Sequence, residues 1–232
     1  EKLFRVHQHW AYVIAISRAE KDALRVKLNL PPERIFAIHC PVDTDFFSPQ
    51  WVNEYSGQED HIESLGLSHR DYPTLIRAMQ MLPNIRCNFR VGSYWVTRKF
   101  GFKPNQLPPN IEIQPFVSPD ILRTKIAQSR FIIVPIRNYT QWSAGCTTVQ
   151  IAQAMGKAVI ATDLPGLRDY VAHNETGILV RPGDSNAMAD AIRSLWMDPE
   201  RALQMGRQGS AFMKENFSMD LYIQKLKHLL YH

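Results

Sequence analysis

The chain is poor in cysteine: 232 residues hold only Cys40, Cys87 and Cys146. An odd count without CxxC spacing points to neither a disulfide framework nor a zinc site. Free thiols suggest a reducing compartment, so a cytoplasmic location is expected. No apolar run approaches the ~20 residues that span a bilayer, and residues 1–10 lack the apolar stretch of a secretory signal. No GxGxxG follows a strand, which argues against a dinucleotide-binding dehydrogenase. Gly156-Lys157 has the ending of a phosphate-binding P-loop, yet Ala158 stands where Ser or Thr is required and a strand follows instead of a helix. A Ser/His/Asp or Cys/His constellation, paired carboxylates on one helix face and a metal-binding acidic or His cluster are also missing. Neither a metal nor a cofactor is expected. The chain opens at Glu1 without Met, which suggests a piece of something longer.

What remains is ordinary for a globular protein: 45% hydrophobic and 21% charged residues. The net charge of +5 suits an anionic ligand weakly. Lys and Arg are scattered instead of clustered, so nucleic acid is not an expected partner. The length allows one large domain or two small ones.

Short apolar runs alternate with helical patterns. Strands are expected at Val13–Ser17, Ile35–His39, Ile62–Leu67, Cys87–Val91, Ile111–Gln114, Phe131–Pro135, Ala158–Thr162 and Gly177–Val180. Helices are expected at Arg18–Leu28, from Asp71 to about Met81, Asp120–Gln128, from Gly145 onward, Leu167–Val171, Asn186–Trp196, Pro199–Glu215 and Met219–Leu230. Residues 48–61 read as a polar loop. Alternation of this kind means an α/β fold, a doubly wound, parallel, Rossmann-like sheet. Its ligand is expected beyond the carboxyl ends of the strands. The loops there are Gly66–Asp71, Gly92–Lys103, Phe116–Asp120 and Ile136–Thr148.

The densest signal is the βαβ unit Phe131–Gly166. Its small-residue turn Ser143-Ala144-Gly145 opens a helix, and backbone N–H groups at such a helix start suit a phosphate. The polar face of that helix is expected to carry Thr147, Thr148, Gln150 and Gln153. Ile151 is the oddity on it.

Four segments in order resemble the C-terminal, donor-binding domain of GT-B glycosyltransferases of family 4, also called group 1. They are Ile35–Pro49 (IFAIHCPVDTDFFSP), Glu63–Met79 (ESLGLSHRDYPTLIRAM), Gly145–Thr162 and Gly177–Asp184 (GILVRPGD). The resemblance runs over nearly the whole chain. It implies a single domain equivalent to the C-terminal half of such an enzyme. Residues 1–12 would be an interdomain crossing, 13–215 the nucleotide-sugar-binding domain, and 216–232 a helix packing back toward an N-terminal acceptor domain. It further implies sugar transfer from a UDP- or GDP-type donor with retention and without an obligatory metal. Membrane contact would come only through the acceptor half, and this chain alone would not turn over.

Carried onto these residues, the resemblance assigns the diphosphate to Gly145, Cys146, Thr147 and Thr148. Arg70 would neutralise the leaving diphosphate, with Gly66 beside it, while Asp71 reads as a plain N-cap. The Phe116-Val117-Ser118 loop would hold the base, or else form a hydrophobic staple before Pro119. Ser93, Arg98 and Lys99 sit on a loop bordering the site, within reach of phosphate, although Arg98 and Lys99 read rather as a solvated face.

The chain departs from the family at its paired Glu residues. Ser143 occupies the first position and Ile151 the second, which in the family grips the ribose hydroxyls. Position 151 lies one turn, about 5.4 Å, beyond Thr147. A carboxylate accepting from a diol contributes roughly 1.5–3 kcal/mol per bond, and Ile accepts none; Gln150 is the neighbour able to substitute in part. The alternative function is therefore a non-catalytic relative serving as a scaffold or nucleotide-binding module.

Overall fold

The computed structural model describes residues 10–50, 60–92, 102–138 and 143–231. Eight parallel strands form two sheets rather than one. Strands β1 (Val13–Ala15) and β2 (Ile35–Ala37), joined by helix α1 (Arg18–Leu28), pair only with each other. The main sheet has the order β5-β4-β3-β6-β7-β8, with β3 His61–Leu65, β4 Arg86–Arg90, β5 Ile111–Gln114, β6 Ile132–Val134, β7 Val159–Thr162 and β8 Gly177–Val180. Its helices are α2 (Tyr72–Gln80), α3 (Pro119–Gln128), α4 (Cys146–Ala154), α5 (Ser185–Met197), α6 (Pro199–Phe217) and α7 (Met219–Tyr231).

Residues 13–37 thus stand apart from the sheet in which an undivided reading of residues 13–215 placed them. Local pattern identifies a strand but not its partner. Leu167–Val171, expected as a short helix, is instead a pair of turns: Leu167, Tyr170 and Val171 donate back to carbonyls of residues 164 and 167. Five residues after Pro165 and Gly166 are too few to propagate a helix.

The central strands are apolar throughout because helices cover both faces. Phe131, Ile133 and Ile160 pack on one side with Leu75 and Met79 of α2 and Ile192 and Leu195 of α5. Ile132, Val134, Val159 and Ala161 pack on the other with Ile126 of α3, Val149 and Ala152 of α4, and Met213 and Phe217 of α6. The β3–β4 pair departs from this rule. Glu63, fully buried, faces the α3 side and is bridged by Arg90 at 3.1 and 2.8 Å, with Asn88 at 3.3 Å.

The small unit is joined to the main body through polar contacts. Asp169 accepts from the Arg18 backbone at 2.7 Å and its side chain at 2.8 Å, and from His39 Nε2 at 2.9 Å. Burial of Asp169 opposes its ionisation, but these bonds outweigh it and hold its pKa below the ordinary carboxylate value. The Tyr170 hydroxyl donates to the Ile16 carbonyl and accepts from Cys40 N–H, while its ring stacks on Phe217 at 5.0 Å.

At the far end of α4, α6 crosses so closely that a Cβ on Gly206 would stand 2.0 Å from the Gly156 carbonyl oxygen. Only glycine permits that approach.

Candidate functional site

The chain runs outward from β3 to β5, then returns to β6 beside β3. This reversal is the topological switch point, where the loops after β3 and β6 part to opposite faces and leave a crevice. Here they are laced together. Asp71 N–H donates to the Pro135 carbonyl at 2.9 Å, Arg137 N–H to the His69 carbonyl at 3.0 Å, and Arg70 bridges Ile136. Ile136 N–H is held by the Thr162 hydroxyl at 2.7 Å.

Asp71 caps α2, accepting from Thr74 N–H at 3.3 Å and from its hydroxyl at 2.6 Å, as a plain N-cap should. That leaves Arg70 pointing back into the crevice. It is buried: Nε donates to the Leu65 carbonyl at 2.7 Å, Nη1 to the Ser68 carbonyl at 3.2 Å and Nη2 to the Thr148 hydroxyl at 2.7 Å. Burial pulls its pKa below the ordinary guanidinium value, though a guanidinium stays charged at neutral pH. Gly66 lies against the same guanidinium, which a Cβ there would meet at 2.8 Å.

Gly145 is the N-cap of α4 and, as a glycine, brings no side chain to cap it. Its φ of 88° lies in the left-handed region, and a Cβ would meet Ile136 and Val134 at 2.9 Å. At the first turn the backbone N–H groups of Thr147, which is exposed, and Thr148, which is half-buried, have no carbonyl partner within the helix. Cys146, next to them, is buried, and interaction with the Cys40 thiol together with burial pushes its pKa up. The same contact lowers the Cys40 pKa to about 7, so negative charge in this pair falls on Cys40 and not on Cys146.

Beside this helix start lies an apolar pocket of about 140 Å³ lined by Leu65, Gly66, Phe116, Val117, Leu122, Thr148 and Ile151, with Arg90 among them. Gly66, Phe116, Val117, Thr148 and Ile151, singled out in sequence, are thus brought together. Ile151 takes part in the wall.

The two glutamines expected on the polar face of α4 are not in it. Gln150 turns inward, buried, its amide donating to the Cys40 carbonyl. Gln153 is likewise buried and donates to the Tyr170 carbonyl at 2.8 Å. The polar face expected from residue type is here an inward face. Positions 149, 150 and 153 lie on the side packed against the chain, where each amide nitrogen finds a backbone carbonyl while the Oε1 atoms of Gln150 and Gln153 have no partner among the described residues. Gln150 is therefore not placed to substitute for a carboxylate at 151. Ser143 is also buried, its hydroxyl 3.0 Å from Ser17 Oγ, the N-cap of α1. The loop before α4 is thereby tied to the small sheet.

Leu65, Arg90 and Leu122 were not singled out from sequence. The available signal was the charge at alternate positions of RCNFR and HIESL, which only the strand register turns into a pair. Ser93, Arg98 and Lys99 lie outside the described residues. Among the described residues no group of three His, Cys, Asp or Glu side chains is placed to hold a metal ion, and no helix is long and apolar enough to cross a membrane.

Solved structures share this architecture. Sucrose-phosphate synthase of Thermosynechococcus elongatus superposes with a TM-score of 0.79 at 22% identity, covering 94% of this chain and 57% of its own. HepE of Anabaena, solved in complex with UDP-glucose, gives 0.79 at 16% identity over 95% of this chain and 64% of its own.

Among relatives, a D-inositol 3-phosphate glycosyltransferase of Catenulispora acidiphila is 26% identical over 224 residues, which is 84% of this chain and 51% of that protein. A GDP-mannose-dependent phosphatidylinositol monomannoside mannosyltransferase of Mycobacterium tuberculosis is 34% identical over 79 residues, 34% of this chain and 20% of that protein. The chain thus spans about half or less of these relatives. The family model described as "Glycosyl transferases group 1" matches residues 62–198, more than half the chain, from β3 through α5. The chain belongs to the group 1 glycosyltransferases.

Proposed function

We propose that this chain is the donor-binding part of a retaining glycosyltransferase, with the diphosphate of a nucleotide sugar at the start of α4. The observation that carries the reading is the uncapped first turn of α4 at the switch point, flanked by Arg70 and opening on the apolar pocket. Backbone N–H groups at a helix start stabilise an anion without any reorganisation, and Arg70 supplies a fixed positive charge beside them. The pocket is where the base and ribose would continue.

An acceptor domain elsewhere in the parent protein would complete the site. The two-stranded sheet exposes Ile14, with Tyr12 exposed just before it, and would offer such a domain an apolar face. The transfer would take place in the cytoplasm and without a metal. The sugar and the acceptor would be chosen by that other part, and this chain alone would be inactive.

Calorimetric titration with UDP, GDP and their sugars tests the reading. A dissociation constant in the micromolar to low millimolar range supports it, and no binding at millimolar ligand overturns it. Thr147→Glu, which sets a negative charge beside the phosphates, should weaken binding at least ~10-fold; unchanged affinity would show that the anion binds elsewhere.

A second reading, a non-catalytic relative, is favoured by one observation: Ile151 stands in the pocket wall where a ribose-gripping carboxylate belongs in the family. Binding of nucleoside diphosphates without transfer, even when the whole parent protein is supplied with acceptor, would select it.

A further inference from the structure

The pocket lining holds a charge that the proposed phosphate site does not use. Arg90, 4% exposed, is the one charged residue among the described residues lining the pocket, beside Leu65, Phe116, Val117, Leu122 and Ile151. Its Nε and Nη2 donate to the two carboxylate oxygens of Glu63 at 3.1 and 2.8 Å, and its Nη1 donates to the Pro115 carbonyl at 3.2 Å. Three of the five guanidinium N–H groups are used in this way, which leaves one each on Nη1 and Nη2.

We propose that Arg90 is a specificity-determining residue that reads the nucleotide base by donating to a ring carbonyl, and so favours lactam bases of the uracil or guanine type over adenine. The inference rests on the donor-site reading above and deepens it.

Three features carry it. The first is charge balance. Glu63 neutralises Arg90, so the pair has no net attraction for a phosphate, and that task falls to the start of α4 and to Arg70. The residual donors of a neutralised guanidinium suit an uncharged acceptor such as a carbonyl. The second is fixity. A guanidinium held bidentately by a fully buried carboxylate loses little freedom when a ligand arrives, and its donors are strong in so apolar a surround. The third is isolation. Besides Thr148, whose hydroxyl is engaged by Arg70, Arg90 brings the other polar side chain of this lining, and a ligand that fails to satisfy it leaves it desolvated and unpaired. Adenine sets an amino donor beside its ring-nitrogen acceptor and so satisfies two such donors less well, whereas uracil and guanine bring a carbonyl oxygen at that edge.

The bond to the Pro115 carbonyl allows a purely structural role, holding the loop that leads to Phe116. Base selectivity separates the two roles, because loop positioning alone would weaken all bases together.

The experiment is calorimetric titration of the full chain with UDP, GDP, ADP and inorganic pyrophosphate. The wild type should bind UDP or GDP at least ~10-fold more tightly than ADP, the effect of one charge-assisted bond. Arg90→Ala alone would strand a buried carboxylate, so the variant of choice is the double exchange Glu63→Leu/Arg90→Met. It should bind ADP and pyrophosphate as the wild type does, with the preference reduced below ~3-fold. Arg90→Lys keeps a charge on Glu63 but loses the guanidinium fork; it should also lose the preference, and it decides the matter if the double variant fails to fold. Equal binding of ADP and UDP by the wild type, or a preference that survives these exchanges, overturns the role of Arg90 and leaves the donor site standing. Absence of binding by every nucleotide overturns both.

Discussion

The Arg70 guanidinium donates to the Thr148 hydroxyl at 2.7 Å across the switch point, tying the loop after β3 to the first turn of α4. With its bonds to the Leu65 and Ser68 carbonyls it braces the crevice as well as charging it. Arg70→Ala should therefore lower stability by about 2–4 kcal/mol, measured by urea unfolding, and should weaken nucleoside diphosphate binding. Arg70→Lys should recover part of the affinity but less of the stability, since an ammonium cannot reach three acceptors set in a fork. An affinity untouched by Arg70→Ala would confine this residue to bracing.

Gly145→Ala tests the start of α4. The left-handed backbone and the contacts of 2.9 Å with Ile136 and Val134 act together, so a loss of about 1–3 kcal/mol is expected. Nucleotide affinity should fall by a larger factor than that seen for a surface control of equal stability, because the turn that aims the amides is displaced.

Ile151→Glu restores a carboxylate at the pocket wall. If ribose passes this position, affinity for UDP should rise about 10-fold or more, and the gain should vanish for a 2′,3′-dideoxy analogue. A gain that persists without the hydroxyls would mean that the carboxylate contacts something else. The exchange adds a charge to a half-buried apolar wall, so stability should fall slightly.

Lys157 gives a pH signature. It is buried at 3% exposure, its ammonium donating to the Ala127 and Ser129 carbonyls at 2.7 Å each, and burial lowers its pKa to about 8 from 10.5. Between these values the unfolded chain holds a proton that the folded chain has released. Stability from this group therefore rises with pH across the window, and its desolvation cost is present in full below about pH 8. Relative to Lys157→Met, the wild type should gain about 2–3 kcal/mol between pH 8 and 10.5. Parallel urea-unfolding curves for the two proteins check this, and a constant difference across that range would contradict it.

Asp169→Asn should loosen the small sheet. Asp169 gathers Arg18 and His39, and its pKa is held low, so its contribution is present above the ordinary carboxylate pKa and is lost as pH falls through the folded value. Hydrogen exchange should accelerate across residues 13–37 in the variant while β6 and β7 stay protected. Uniform acceleration would show that the two sheets unfold as one.

Much of the main sheet was legible because its strands are short apolar runs between turn residues, and FIIVP and AVIAT carry no ambiguity. Asp71, Gly145 and the start of α4 were legible because capping and turns are local. What escaped was non-local. That β1 and β2 form their own sheet depends on pairing, not on pattern. That Gln150 and Gln153 face inward depends on the Cys40 and Tyr170 carbonyls, supplied by segments 110 and 17 residues away. Arg90 meets Glu63 only through the β3–β4 register, in which Glu63 pairs with Asn88 and Leu65 with Arg90.

The backbone crossing of Gly206 on Gly156 has a consequence for how this protein can change. The position of α4 along the sheet is set at the helix's trailing end, by main-chain atoms that no side-chain exchange at positions 147, 148 or 151 disturbs. Recognition and scaffold are thus written in separate places. An exchange at position 151, on the pocket side of the helix, can therefore leave the helix itself where it is.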